Sequence, residues 1–270
     1  MPHVLLIGAG YLGARISEVF RDHGWEVTPV SLSGGDGSRA ADVSDLFSVR
    51  GLADAAPDFI VHCAASGRGG PDAYQRVYVD GCRNLADVFP GVPLLFTSSS
   101  SVYAQTDGSE VDEESPAIPE RETGRLLLAA EKVVLDAGGT VARLSGIYGP
   151  GRSVILKKFL SGDAVIEEDG RRFLNQIHRD DAARAVFHLA SENLRGVFNV
   201  SDSTPMPQGE CYRRLAEIFG KPVPSSGPRD PDRKRGWTHK KVSAAKLRDT
   251  GWQPEFPSFL DAVPSVAETL

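Results

Sequence analysis

Gly8, Gly10 and Gly13 carry the spacing G-x-G-x-x-G directly after the apolar run Val4-Leu5-Leu6-Ile7. Such a loop does its chemistry with backbone rather than side chains. Gly8 permits a tight turn, Gly10 lets the backbone approach a pyrophosphate, and Gly13 lets a following helix pack closely on the strand. Phosphates would then meet free N–H groups and the positive end of the helix dipole. Tyr11 and Leu12 fill the loop between the glycines. A glycine turn without a ligand matches the bare pattern too, but the strand before it and the helix after it favour a dinucleotide cradle.

In such cradles an acidic residue at the end of the second strand usually holds the adenosine ribose 2′-hydroxyl of NAD. Here Ser31 occupies that place, followed by Leu32. Arg39 in the loop beyond could reach a 2′-phosphate, although a solvated loop arginine accounts for it as well. The cofactor expected is NAD or NADP, leaning to NADP because no strand-end carboxylate would repel its phosphate.

The chain resembles the extended short-chain dehydrogenase/reductase family, which includes the NAD-dependent epimerases and dehydratases. Asp42-Val43 looks like the pair that frames the adenine, and His62-Cys63-Ala64-Ala65 is similar to the fourth-strand signature beneath the cofactor. Thr97-Ser98-Ser99-Ser100-Ser101-Val102-Tyr103 resembles the fifth-strand serine motif. Arg143 with Ile147-Tyr148-Gly149-Pro150-Gly151 looks like the sixth-strand signature, and His178-Arg179-Asp180-Asp181 like the element that introduces a late helix. The resemblance implies cofactor contacts from Gly8, Gly10, Tyr11, Leu12, Gly13, Ser31, Asp42, Val43, Cys63, Ala64 and Ala65. It also implies a small-molecule substrate, and often a homodimer.

Two departures stand out. Ile7 takes the place of the first glycine in the family's usual GxxGxxG, which leaves the cradle intact. More consequential is the loss of the family's tyrosine and the lysine four residues later. Alignment puts Thr123 and Leu127 there, no tyrosine lies between Tyr103 and Tyr148, and the first lysine is Lys132. Neither a threonine hydroxyl nor a leucine can act as a general acid or base near neutrality, and losing such a group forfeits roughly 10²–10⁴ in rate. Ser99 remains to polarise a substrate oxygen, and Tyr103 is the candidate for replacement proton transfer. Tyr148 is another, with Arg152 four residues on, but the glycines and proline between those two break any helix that would pair them.

These residues need a scaffold. Val4–Ile7, Glu26–Leu32, Asp58–Cys63, Pro93–Thr97 and Thr140–Leu144 read as strands, and Ala14–His23, Asp72–Phe89 and Glu122–Ala137 as helices between them. Such alternation predicts an α/β Rossmann fold: a doubly wound parallel sheet with helices on both faces. Residues 1–145 form the dinucleotide-binding domain. Residues 146–270 form mainly a smaller C-terminal substrate lobe, with the 178–200 helix and strand returning to the Rossmann domain. Pro222–Lys241 reads as a mobile loop rich in proline, glycine and charge. Its Arg229, Arg233, Lys234, Arg235, Lys240 and Lys241 could meet an anionic substrate, although a solvated basic loop is the plainer reading.

Bulk composition narrows the classes. Thirty basic against 36 acidic residues give a net charge of −6, which argues against nucleic acid as a partner. No apolar run reaches the ~20 residues that span a bilayer. The three cysteines, Cys63, Cys82 and Cys211, have no zinc or disulfide spacing, so a reducing cytoplasm is expected. Two functions stay open: an NAD(P)-dependent oxidoreductase or epimerase/dehydratase-like enzyme on a small polar or nucleotide-linked substrate, or a non-catalytic NAD(P)-binding sensor.

Overall fold

The computed structural model describes residues 1–35, 37–67, 69–229 and 236–270. Strand β1 (His3–Ile7) is buried over its last four residues, as its unbroken apolar run demands of a strand covered on both faces. Helix α1 (Tyr11–Asp22) follows at once and buries Leu12, Ile16, Val19 and Phe20 along one stripe. Beyond it the chain turns at Gly24, whose φ of +77° lies in the left-handed region.

Six further strands join β1: β2 (Glu26–Ser31), β3 (Arg39–Ala40), β4 (Phe59–His62), β5 (Leu94–Ser99), β6 (Thr140–Leu144) and β7 (Gly196–Val200). Their order across the sheet is β7-β6-β5-β4-β1-β2-β3. β1 pairs in parallel with both β2 and β4, β2 with β3, and β4 with β5. The chain therefore runs outward from β1 to one edge, then returns to β4 and continues to the other. Between β1 and β4 the order reverses, and crevices at such points receive ligands in open α/β sheets.

Helix α2 (Glu122–Asp136) follows β5 in the chain and buries Gly124, Leu127, Ala130, Glu131 and Val134. The helix expected over Asp72–Phe89 is present from Pro71 to Val88, but Gln75–Asp80 forms a π-helical segment within it. Apolar spacing does not register such a local widening.

The chain divides into two compact units. One comprises residues 1–102, 118–143 and 183–198; the other comprises 103–117, 144–182 and 199–270. The second unit thus takes in 103–117, which the sequence reading places in the first domain. It is built from short two-stranded pieces, such as Gly146–Tyr148 beside Gln176–His178 and Lys241–Val242 beside Glu110–Val111. Its core gathers Tyr148, Leu156, Phe159, Tyr212, Leu215, Phe259 and Val263. No helix among the described residues is long and apolar enough to cross a membrane.

Candidate functional site: a dinucleotide cradle

The glycine loop lies at the carboxyl end of β1, beside the reversal in strand order. Gly8 has a φ of +105°, and a Cβ there would sit 2.4 Å from the backbone nitrogen of Ala64. At Gly13 a Cβ would lie 1.8 Å from the Gly8 carbonyl oxygen, so this helix turn can touch the loop only without a side chain. Cys63 closes the packing from β4: its thiol donates to that same carbonyl at 3.1 Å. Burial pushes the thiol up to about 12, which makes it a packing group and not a nucleophile.

Gly10 behaves differently. It is exposed, its φ of −83° suits any residue, and nothing lies within 4 Å of where its Cβ would be. Neither packing nor backbone conformation requires glycine there. Helix α1 begins directly after it, with no side-chain cap from the Gly10 position and no acidic residue in its first turn. Open space in front of a helix N-terminus fits a pyrophosphate, which the positive end of the helix dipole attracts.

The other residues expected to contact a cofactor have the following surroundings. Val43 is buried, and its carbonyl accepts from Asn84 at 3.0 Å. Asp42 is exposed and turns its carboxylate onto the backbone and hydroxyl of Ser44. Ala65 is exposed just beyond Cys63 and Ala64. His62 is fully buried, pairs through Nε2 with the Val77 carbonyl at 2.8 Å and is held neutral, with burial lowering its pKa to about 4. Ser31 is half-buried at the end of β2, with its Oγ 2.9 Å from that of Ser38. Arg39 is no loop residue: it sits in strand β3, and its guanidinium donates to the Gly51 carbonyl and to Asp54.

A family model for the NAD dependent epimerase/dehydratase family matches residues 4–201, nearly three-quarters of the chain. The chain belongs to that family. Protein YeeZ of Escherichia coli strain K12 is 28% identical over 242 residues, covering 82% of this chain and 85% of that one. The UDP-glucose 4-epimerase of Thermus thermophilus, solved with NAD, superposes with a TM-score of 0.82 at 22% identity, covering 99% of this chain and 98% of that one. Human epimerase family protein SDR39U1, solved with NADPH, gives a TM-score of 0.82 at 21% identity and covers 99% and 100% of the two chains. The protein is an NAD(P)-binding member of the epimerase/dehydratase family.

Where the family resemblance expects its tyrosine and lysine, the structure offers no acid or base. Thr123 is half-buried at the start of α2, and Leu127 is buried one turn on. Gly124 lets that first turn lie against Pro119, whose Cβ would be 2.4 Å from an added methyl. Ser99 is half-buried at the end of β5 and accepts from the Ser101 amide at 3.2 Å, which leaves its hydroxyl proton free to point elsewhere.

Tyr103 does not suit the proton-transfer role considered for it. Its ring is fully buried in the second unit, where the phenol donates to Asn199 Oδ1 at 2.9 Å. Tyr148 is likewise buried, packed edge-on against Phe259, and burial raises its pKa above the normal range. Both are core residues. The Rossmann periodicity marks the carboxyl end of a strand but not whether the following side chain faces solvent.

Part of the supposed mobile loop is core as well. Lys240 is buried, with Nζ donating to the Tyr103 carbonyl at 2.8 Å and to Thr238 at 3.0 Å, and burial lowers its pKa to about 8. Lys241 pairs with Glu110 across a strand. The every-other aromatic and basic pattern from Trp237 to Lys241 is the one signal that could have marked a strand here. Arg233, Lys234 and Arg235 lie outside the described residues.

The second unit also holds a cavity of about 410 Å³ lined by Lys158, Arg172, Arg229, Leu174 and Tyr212, among others. Arg172 pairs with the buried Glu167 at 3.0 Å. Arg229 pairs with Glu168 and stacks over Trp237, 3.6 Å from the ring centre. Asp163 and Glu167 line it too, so its cations are largely matched by carboxylates.

Proposed function

We propose that this chain is an NAD(P)-dependent oxidoreductase or epimerase/dehydratase-like enzyme acting on a small polar or nucleotide-linked substrate. The observation that carries the reading is Gly10: a glycine with no steric reason to be one, set where a pyrophosphate would approach the start of helix α1. Gly8, Gly10, Tyr11, Leu12 and Gly13 hold the phosphates, Ser31 the adenosine ribose, Asp42 and Val43 frame the adenine, and Cys63, Ala64 and Ala65 form the floor. When bound, the nicotinamide supplies hydride transfer. Ser99 donates its free hydroxyl proton as a hydrogen bond to the reacting oxygen. With Thr123 and Leu127 unable to exchange a proton, that proton passes to and from solvent.

The buried Leu127 favours a second reading, a non-catalytic NAD(P)-binding sensor. The two are separated by measuring saturable binding of oxidised and reduced NAD and NADP by fluorescence. Carbonyl compounds and sugar nucleotides are then screened by the absorbance of the reduced cofactor. Turnover supports the enzyme, and binding without turnover across the panel supports the sensor. Absence of any saturable binding sinks both.

A further inference from the structure

We propose that Tyr78 gives and takes the proton that Thr123 and Leu127 cannot, its phenol acting directly on the reacting oxygen of the substrate. The inference rests on the enzyme reading above and names the group through which the proton travels to and from solvent.

The chain has six tyrosines. Tyr74, Tyr103, Tyr148 and Tyr212 are buried, and Tyr11 opens helix α1 in the phosphate cradle. Tyr78 is half-buried and sits in the π-helical segment Gln75–Asp80. His62, the last residue of β4, holds that segment at the Val77 carbonyl, 2.8 Å away and one residue before Tyr78. A π turn inside an α-helix shifts its side chains out of the ordinary register, a device found often at functional sites.

Two contacts fix where the phenol lies. Its ring packs against Phe96 of β5, with centroids 5.7 Å apart, and Phe96 pairs in register with His62 at the end of β4. Its oxygen accepts from the Ser66 amide at 3.1 Å, beyond the end of β4. Tyr78 thus reaches from the sheet past its carboxyl edge to the residue that follows Cys63-Ala64-Ala65, and ligands of open α/β sheets bind at that edge. Ser99 ends β5 at the same edge. Phe96 shares a sheet face with Ser98, which donates to Glu131 of α2, so the phenol and α2 lie on one side of the sheet. The π-helical segment packs directly on α2, whose first turn carries Thr123 in place of the family's tyrosine.

The Ser66 amide takes a lone pair of the phenol and leaves its proton unspent, with no acceptor among the described residues. In the reducing direction, hydride from the bound cofactor forms a C–H bond at the substrate's carbonyl carbon. The C=O π pair moves onto oxygen, and Tyr78 gives that oxygen its proton. The phenolate then takes a proton from solvent.

The test uses the full chain carrying 13C at tyrosine Cζ, in which the Tyr78 resonance is the one that Tyr78→Phe removes. Complexes with oxidised and with reduced cofactor are compared by NMR, after fluorescence shows saturation. A positive nicotinamide ring favours a nearby phenolate. The Tyr78 resonance should therefore titrate at lower pH in the oxidised complex, while the other five behave alike in both. On any carbonyl the wild type reduces, Tyr78→Phe should lose a factor of roughly 10²–10⁴ in kcat and keep its cofactor affinity. A thermal melt checks that the variant folds. Identical Tyr78 titration in the two complexes, or wild-type kcat in Tyr78→Phe, overturns this proposal and leaves the cofactor reading intact. Binding without turnover across the panel removes the enzyme reading, and this proposal with it.

Discussion

Arg143 on β6 grips both carboxylate oxygens of Glu131 on α2, at 2.7 to 3.1 Å, while Ser98 on β5 donates to Glu131 from a third direction at 2.5 Å. None of the three residues is more than 6% exposed. A buried carboxylate survives only when its charge is paired and its lone pairs are met, and here three elements of the sheet unit meet them. The network fixes α2 against the strand that carries Ser99.

Breaking one partner of that network should be severe. Arg143→Met leaves Glu131 charged and unpaired inside the protein, an expected loss of about 3–5 kcal/mol. The double variant Arg143→Met, Glu131→Leu should recover much of it. Urea unfolding of the two variants and the wild type checks this; equal losses would mean the pair does not carry the charge balance.

Gly10 and Gly13 should respond oppositely to the same methyl group. Gly13→Ala drives a Cβ into the Gly8 carbonyl and should destabilise by about 1–3 kcal/mol or more. Gly10→Ala meets nothing, so it should melt at or slightly above the wild-type temperature yet lose dinucleotide affinity. A Gly10→Ala protein that still binds cofactor at wild-type strength would count against the cradle.

Asp202 should make the protein less stable as pH rises from acid to neutral. It is buried with Oδ1 unpartnered, and burial with the nearby carboxylates of Asp181 and Asp261 raises its pKa to about 8. In the unfolded chain the group ionises near pH 4. Between about pH 4 and pH 8 the unfolded state therefore releases a proton that the folded state keeps, and stability falls across that window by up to several kcal/mol. Asp202→Asn should flatten this part of the profile and raise the melting temperature at pH 7.5. Melting curves at closely spaced pH values give the answer.

Lys240 should act in the alkaline range. Its folded pKa is about 8 and its unfolded value near 10.4, so the buried ammonium is a liability below pH 8. Stability contributed at this site should rise between about pH 8 and pH 10.4, as the unfolded chain holds the proton the folded chain has lost. Lys240→Met should abolish that rise. At neutral pH its gain is offset by the Tyr103 carbonyl losing its donor. Unfolding in urea at pH 7.5 and pH 10 separates the two effects.

Restoring the missing pair probes α2 directly. Leu127→Lys alone puts an ammonium where the structure has a side chain only 5% exposed and should destabilise by a few kcal/mol. Thr123→Tyr, at a half-buried position, should be tolerated better. If the double variant gains turnover on substrates the wild type leaves untouched, the rest of the site is competent for family chemistry.

Local rules carried the sequence reading a long way. The apolar run of β1, the helix of α1 and the glycines between them are specified by residues within a few positions of one another, so spacing alone placed them. The same holds for β6, where Thr140–Leu144 is an unbroken stretch with every residue buried. The absence of a tyrosine and lysine on α2 was equally legible, because it depends only on which residues stand one helical turn apart.

What the sequence left open depends on partners far away along the chain. Whether Tyr103 reaches solvent is decided by Asn199, 96 residues on, and whether Lys240 lies in a loop or in a core is decided by Tyr103, 137 residues back. Arg39 became a strand residue through pairing with β2, and Glu131 changed from one helix position among many to the centre of a buried charge network. Burial and pairing of polar groups are properties of the assembled fold: the energy of a charge is set by what surrounds it in space, and periodicity along the chain has no access to that.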